Sequence, residues 1–343
     1  MSARSRLYLF FVCLLAVAAR AADTPPASLL VLDKSDNSLV IVDAASLQPV
    51  ARVPAGEDPH EVVVSEDGRL AYISNYGAYG RPSPLRTISV VDLVAQKALP
   101  PIDLGALTAP HGLAIAGGRI YFTAEGSKVV GSYDPASRRI DWVLGTGQDR
   151  THMIELSADR SRIFTTNVSS ASVSIIERAP VAGFGGRGGA PAPTDWRVSS
   201  VGVGRGAEGF DISPDGREMW VANAEDQTVS IVDVAAKKVA STIGVAAARA
   251  NRLKFTRDGK LVFLSDPAGT DVVVIDAATR KDVKTIAVGR GGGGILMTPD
   301  GLRAFVALGA ENAVAVIDLR TLAVSGRIAT GRNPDGLAWA ARK

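Results

Sequence analysis

Three histidines, His60, His111 and His152, are the residues of this chain best suited to chemistry, and they stand 51 and 41 positions apart. Imidazole titrates near neutral pH and is the commonest protein ligand for transition metals, so three of them at one place would make a metal site or a proton-transfer site. No local motif brings them together. The sequence has no His-Glu-x-x-His helix and no Gly-x-Ser-x-Gly elbow, and its single cysteine, Cys13, lies in an apolar N-terminal run. Neither a zincin helix nor a thiol nucleophile is therefore indicated. A shared site has to come from a fold that returns to the same place at long intervals.

The repeats supply such a fold. The stretch from Glu208 to Val245 (EGFDISPDGREMWVANAEDQTVSIVDVAAKKVASTIGV) reads as four alternating runs, a to d, with the period of two expected of strands. The pattern returns from Asn251 and from Gly293 and, with variations, from His60, His111 and His152. Leu29 to Gly56 supplies b, c and d without a, whereas Asp335 to Ala341 supplies an a with nothing after it. Six full copies and one split copy predict an all-β, seven-bladed β-propeller of four-stranded blades, one domain over 22–343, its ring closed by pairing the C-terminal strand with the N-terminal blade. Asp67, Asp215, Asp258 and Asp300, next to Gly between a and b, read as hairpin formers. Asp43, Asp92, Asp134, Glu177, Asp233, Asp276 and Asp318, which end run c, read as turn formers.

At the level of motif, VANAEDQTVSIVD, SPDG and IDAATRKDVKTIAVG resemble the YVTN-type repeat of the YncE-like bacterial propellers, and the likeness covers nearly the whole chain beyond its first residues. The resemblance implies a secreted or periplasmic seven-bladed propeller. It implies no reaction, because the activities of that family are diverse. Two glycine patterns, Gly289-x-Gly291-x-x-Gly294 and Gly202-x-Gly204-x-x-Ala207, lead into strands, so no helix N-terminus awaits a dinucleotide phosphate.

Arg4 and Arg6 precede an apolar run from Leu7 to Ala19, and Ala19-Arg20-Ala21 has the small-x-small form of a cleavage site, so 1–21 reads as a signal peptide. The run is too short to span a bilayer, which leaves no membrane span in the mature chain. Cleavage would take Lys and Arg from 38 to 35 against 35 Asp and Glu, turning a formal charge of +3 into one near zero. The basic surplus belongs to the leader, and nucleic acid is not an expected partner.

The residue that opens run a, the innermost strand of each blade, is His60, His111, His152, Glu208, Asn251, Gly293 and Asp335 in chain order. All three histidines share this position. They could hold a single Zn, Cu, Fe, Mn or Ni ion, with Glu208 as fourth ligand or general acid/base and Asp335 beside His60 as an orienting group. Duplicated blades also inherit residues, so a structural or ligand-contact role for the imidazoles stands beside the metal reading. Arg150, Arg205, Arg249, Arg290 and Arg332 precede the same position by two or three residues and should ring the channel mouth, where guanidinium groups suit carboxylate or phosphate or else pair with loop acids. An insertion at 75–86 should bring Tyr76, Tyr79 and Arg81 over that face, whereas a Gly- and Pro-rich insertion at 178–196 should loop from the opposite one. Two functions follow from these residues. The first, which the sequence favours, is an envelope binding or scaffold propeller holding an anionic small molecule or protein partner at the arginine rim, with Asn251, Asp335, Tyr76 and Tyr79 as further contacts. The second is a metal-dependent oxidoreductase, lyase or lactone hydrolase.

Overall fold

Runs b and c are almost continuously apolar in several repeats (LLVL and LVIV in the first), the composition of strands covered on both faces. The computed structural model describes residues 24–77, 84–181 and 192–343. These form seven four-stranded antiparallel sheets, whose strands we number in chain order from β1 (Ala27–Asp33) to β28 (Pro334–Ala341). The innermost strands are β4 (Pro59–Val64), β8 (Pro110–Ala116), β12 (Thr151–Leu156), β16 (Ala207–Ile212), β20 (Leu253–Phe255), β24 (Gly292–Met297) and β28. Sheet order β28-β1-β2-β3, with β2 at Ser38–Asp43 and β3 at Pro49–Pro54, shows the split copy completed as expected. In this closure Leu29 pairs with Trp339 and Val31 with Leu337.

The core lies between blades rather than inside any one of them. Leu30, Leu39 and Ile41 of the first blade pack on Val62, Ile73 and Val91 of the second, while Leu29, Val31 and Val40 on the opposite face meet Phe305, Val314 and Val316 of the seventh. Burying one such aliphatic side chain contributes about 1.5–3 kcal/mol, so each blade is stabilised by both neighbours at once. The turn acids serve as expected. Asp43 accepts the amides of Ala45 and Ser46, Asp318 those of Arg320 and Thr321, and Asp215 that of Arg217 beside Gly216 at φ +72°. Glu177 is the exception: its longer side chain reaches instead to Arg162 and Lys237.

Part of the second insertion differs from expectation. Strands β14 (Ser172–Pro180) and β15 (Thr194–Gly202) extend through its flanks, pairing Arg178 with Trp196 and Pro180 with Thr194. The extension is supported by stacking, because the Trp196 ring lies 5.3 Å from that of Trp142 and carries the Arg178 guanidinium 5.2 Å above it. Residues 182–191, the expected leader 1–21 with Cys13, and Tyr79 and Arg81 lie outside the described residues.

Candidate functional site at the channel mouth

A bulge repeated around the ring positions the site. Pro59 pairs with Asn75 and Val62 with Ile73, so His60 and Glu61 together oppose Ser74 alone. The same two-against-one count places His111 and Gly112 opposite Thr123, His152 and Met153 opposite Thr166, and Asp335 and Gly336 opposite Leu32. A bulge re-aims side chains that a regular strand would send to alternate faces. Hydroxyls on the second strand hold it in shape: Thr123 Oγ1 accepts the Gly112 amide at 2.8 Å and donates to the carbonyl of His152, in the next blade, at 2.6 Å. Thr166 does the same for Met153 (3.2 Å) and Glu208 (2.6 Å), and Ser265 for Arg252 (3.2 Å) and Gly293 (2.7 Å). At Gly112 a Cβ would stand 2.5 Å from the His152 carbonyl oxygen, and at Gly336 2.2 Å from that of His60, so close approach of neighbouring inner strands requires glycine there.

The three imidazoles meet. Ring centroids of His60 and His111 are 5.1 Å apart and those of His111 and His152 3.7 Å, and the Tyr76 ring stands 4.8 Å from both His60 and His111. A second repeat position completes the set, because the residue just after the second strand of one blade reaches the histidine of the next. Lys34 Nζ is 2.8 Å from His60 Nε2, Tyr76 packs edge-on to His111, and Glu125 Oε1 bonds His152 Nδ1. Tyr76 also donates from its hydroxyl to Glu125 Oε2 at 2.5 Å. Glu208 Oε2 lies 2.9 Å from His152 Nε2, and Lys34 forms an ion pair with Asp335 at 3.3 Å.

Environment separates the histidines. His111 is buried, and both burial and the neighbouring His152 and His60 press its pKa well below the ordinary value, so the ring is neutral. Its Nδ1 is buried and meets no hydrogen-bond partner among the described residues. Burial also disfavours charge on His152, but the Glu208 and Glu125 carboxylates outweigh it and raise the ring to about 8. Burial opposes ionisation of Glu125 and Glu208 likewise, yet His152 holds both below the usual carboxylate range. His60 is lowered by burial and by the Lys34 ammonium. One ring nitrogen each from His111 and His152 and an oxygen of Glu125 lie within 4.8 Å of one another.

The structure thus redistributes the expected ligands. His60 turns to Lys34 and to the Asp58 carbonyl, 3.2 Å away, whereas Glu208 contacts His152 and Arg249 (3.3 Å). Asn251 contributes its backbone, accepting the Gly209 amide through its carbonyl. The five arginines divide. Arg205, Arg290 and Arg332 are tied to Asp226, Glu311 and Asp36, each acid accepting the arginine's own amide as well, so these three clamp loops together. Arg150 and Arg249 face inward to Glu125 (3.6 Å) and Glu208.

Glu125, Lys34, Glu61 and Arg252 were missed by the reading of the inner strand. The first two share a repeat position with Tyr76, so a comparison of residues following the second strand would have revealed them. Glu61, in the second place of its bulge, and Arg252, just before β20, form a 2.6 Å ion pair across 191 residues, for which the repeats carry no signal.

No protein-family model and no curated protein matches the chain. Solved structures match in fold. A functionally unknown protein from Desulfotomaculum acetoxidans is 13% identical with a TM-score of 0.74, over 92% of this chain and 99% of that one. A putative 6-phosphogluconolactonase from Bacteroides fragilis is 15% identical (TM-score 0.73, 92% and 98%), and Kuenenia stuttgartiensis hydrazine synthase 16% identical (TM-score 0.70, 90% and 99%). At these identities the likeness is one of fold.

Proposed function

We propose that this chain is a secreted or periplasmic propeller of the YVTN-repeat, YncE-like type whose channel mouth holds one divalent transition-metal ion on His111, His152 and Glu125 and acts there on a small molecule as a metal-dependent enzyme. The observation that carries this reading is the convergence of two imidazoles and a carboxylate, one of the imidazoles being His111, whose Nδ1 is buried without a hydrogen-bond partner among the described residues. Two imidazoles and one carboxylate form the protein ligand set of catalytic zinc sites and of non-haem iron(II) sites. Metal–ligand distances of about 2.1 Å imply donor separations near 3–3.5 Å, so the farthest donors, within 4.8 Å now, need to close by about an ångström, while His152 Nδ1 and Glu125 Oε1, now hydrogen-bonded, need to part and give up the proton between them.

The surroundings support the same assignment. If His152 ligates through Nδ1, its Nε2–H points to Glu208, the carboxylate partner that metal-bound histidines commonly have. If Glu125 ligates through Oε1, its other oxygen is already held by Tyr76. Glu208 then positions the His152 ring, which replaces the ligand or acid/base role expected for it. The metal would supply Lewis acidity and an activated water or a redox couple. Tyr76, buried over His60 and His111, closes the site from the insertion side. The scaffold is shared with neighbours as different as a putative lactonase and hydrazine synthase, so the reaction must be decided by the site. A docking role for the arginine rim loses support because three of its five members are committed to loop acids.

Elemental analysis of protein purified without a polyhistidine tag or chelator tests the reading. About one first-row divalent ion per chain, absent from His111→Ala and Glu125→Gln, is expected. Metal-free protein even after reconstitution, or unchanged occupancy in both variants, would refute it.

A further inference from the structure

Below the histidines the channel holds a second feature that the metal reading does not use. A cavity of about 250 Å³ is lined by Glu61, Glu155, Arg252 and Lys254 on a wall otherwise made of apolar residues such as Leu113, Ile154, Phe210 and Leu337. Arg252 immediately precedes the short strand β20 and Lys254 is its middle residue, and both line the cavity. Mostly apolar walls with a few convergent charged groups are the composition of a small-molecule site.

The donors in this cavity exceed the acceptors. Arg252 spends Nη2 on Glu61 Oε1 at 2.6 Å, while its Nη1 is buried with no hydrogen-bond partner among the described residues. Lys254 has three N–H groups and gives one to Asp211 at 2.7 Å, with Glu155 at 3.9 Å. Asp211 in turn accepts the Phe255 amide, which fixes it in the wall. Glu155 does not offset the surplus, since burial and the nearby Asp211 outweigh Lys254 and keep its carboxyl protonated up to about pH 8. At neutral pH the two cations are balanced in charge by two carboxylates, Glu61 and Asp211, so it is the surplus of N–H groups, Arg252 Nη1 and those Lys254 has left, that calls for an acceptor-rich guest head such as a carboxylate. Gly209 lets the Arg252 backbone come close: a Cβ there would lie 2.5 Å from the Asn251 carbonyl oxygen and 2.9 Å from Arg252 Cα.

We propose that this channel cavity binds the carboxylate of a small organic acid, its head on Arg252 and Lys254 and its apolar body along the aliphatic wall. The site is separate from the metal ligands and does not depend on metal being bound.

The test is isothermal titration of the full chain with three probes of one shape, hexanoate, hexanamide and hexylamine, repeated on Lys254→Met and on the paired variant Glu61→Gln/Arg252→Gln, which leaves no buried charge alone. Saturable binding of hexanoate, at least tenfold tighter than of the amide or amine and weakened tenfold or more in either variant, is expected. No binding of hexanoate, equal binding of all three probes, or hexanoate affinity unchanged in both variants would overturn the proposal. Should either variant fail to fold, the probe series on the unaltered protein still decides. Metal content measured on the same samples separates this proposal from the metal reading, since each can fail without the other.

Discussion

His111 sits in a different electrostatic position from the other two histidines. It touches both, it is neutral, and the buried Nδ1 that it leaves bare is a free-energy cost of about 1–3 kcal/mol unless something accepts or occupies it. His152 is held from both sides by carboxylates, so Glu208 matters through the ring that it orients. Glu208→Gln should lower metal affinity by 10- to 100-fold without abolishing binding, as read by competition with a chromophoric chelator. A complete loss, or none, would contradict a positioning role. Glu155 gives a prediction independent of metal. Its carboxyl keeps a proton up to about pH 8 in the folded protein, whereas the unfolded chain releases it near 4.5. Folding therefore takes up a proton in that window, and the associated stability is complete below 4.5 and lost as pH rises through 8. In urea titrations Glu155→Gln should show a smaller fall in stability between pH 5 and 8.5 than the parent, and identical profiles would rule the assignment out.

At the scale of the element, the inner-strand bulge is the device that makes a site out of a repeat. It sets two successive residues against one in six of the seven blades, and at Gly112 and Gly336 glycine occupies the second place, where the neighbouring strand comes close. Gly112→Ala forces a methyl against the His152 carbonyl, so a loss of about 2 kcal/mol in stability is expected together with weakened metal binding. Calorimetry and metal analysis check the two effects separately, and a variant normal in both would show that the strands can part freely. This arrangement also explains how much of the site could be read beforehand. The position shared by His60, His111, His152, Glu208 and Asp335 was legible because every repeat reports it. Glu125 and Lys34 occupy a second repeat position that the same comparison reaches, but their contacts cross from one blade to the next, so what each one touches appears only when the blades are stacked. The arginines were placed at the right loops, but their acid partners stand about twenty residues away in the blade or across the ring closure, as with Arg332 and Asp36. Spacing alone could not separate a loop clamp from an anion seat.

At the scale of the molecule, the fold followed from the sequence because repetition and the split copy state both blade number and closure. Each blade buries its two faces on different neighbours, so opening the ring at the first blade affects more than one sheet. Truncation after Arg332 removes β28, stripping Leu29, Leu30 and Val31 of their strand partner. Loss of cooperative thermal unfolding and rapid proteolysis are expected, and a sharp transition near that of the parent would show that closure is dispensable. The exposed arginine clamps are a weaker device, because solvent screens each pair. Changing Arg205, Arg290 and Arg332 together to Gln should leave metal content untouched, which separates the rim from the site that it surrounds.

The most direct test of the central claim is X-ray absorption at the edge of whichever metal co-purifies with the protein. The account predicts a first shell of nitrogen and oxygen near 2.1 Å with the outer-shell scattering of two imidazoles, and no such shell in His111→Ala, which should hold no metal. A shell without imidazole scattering, or one unchanged by the substitution, would place the metal elsewhere and contradict the assignment of His111, His152 and Glu125.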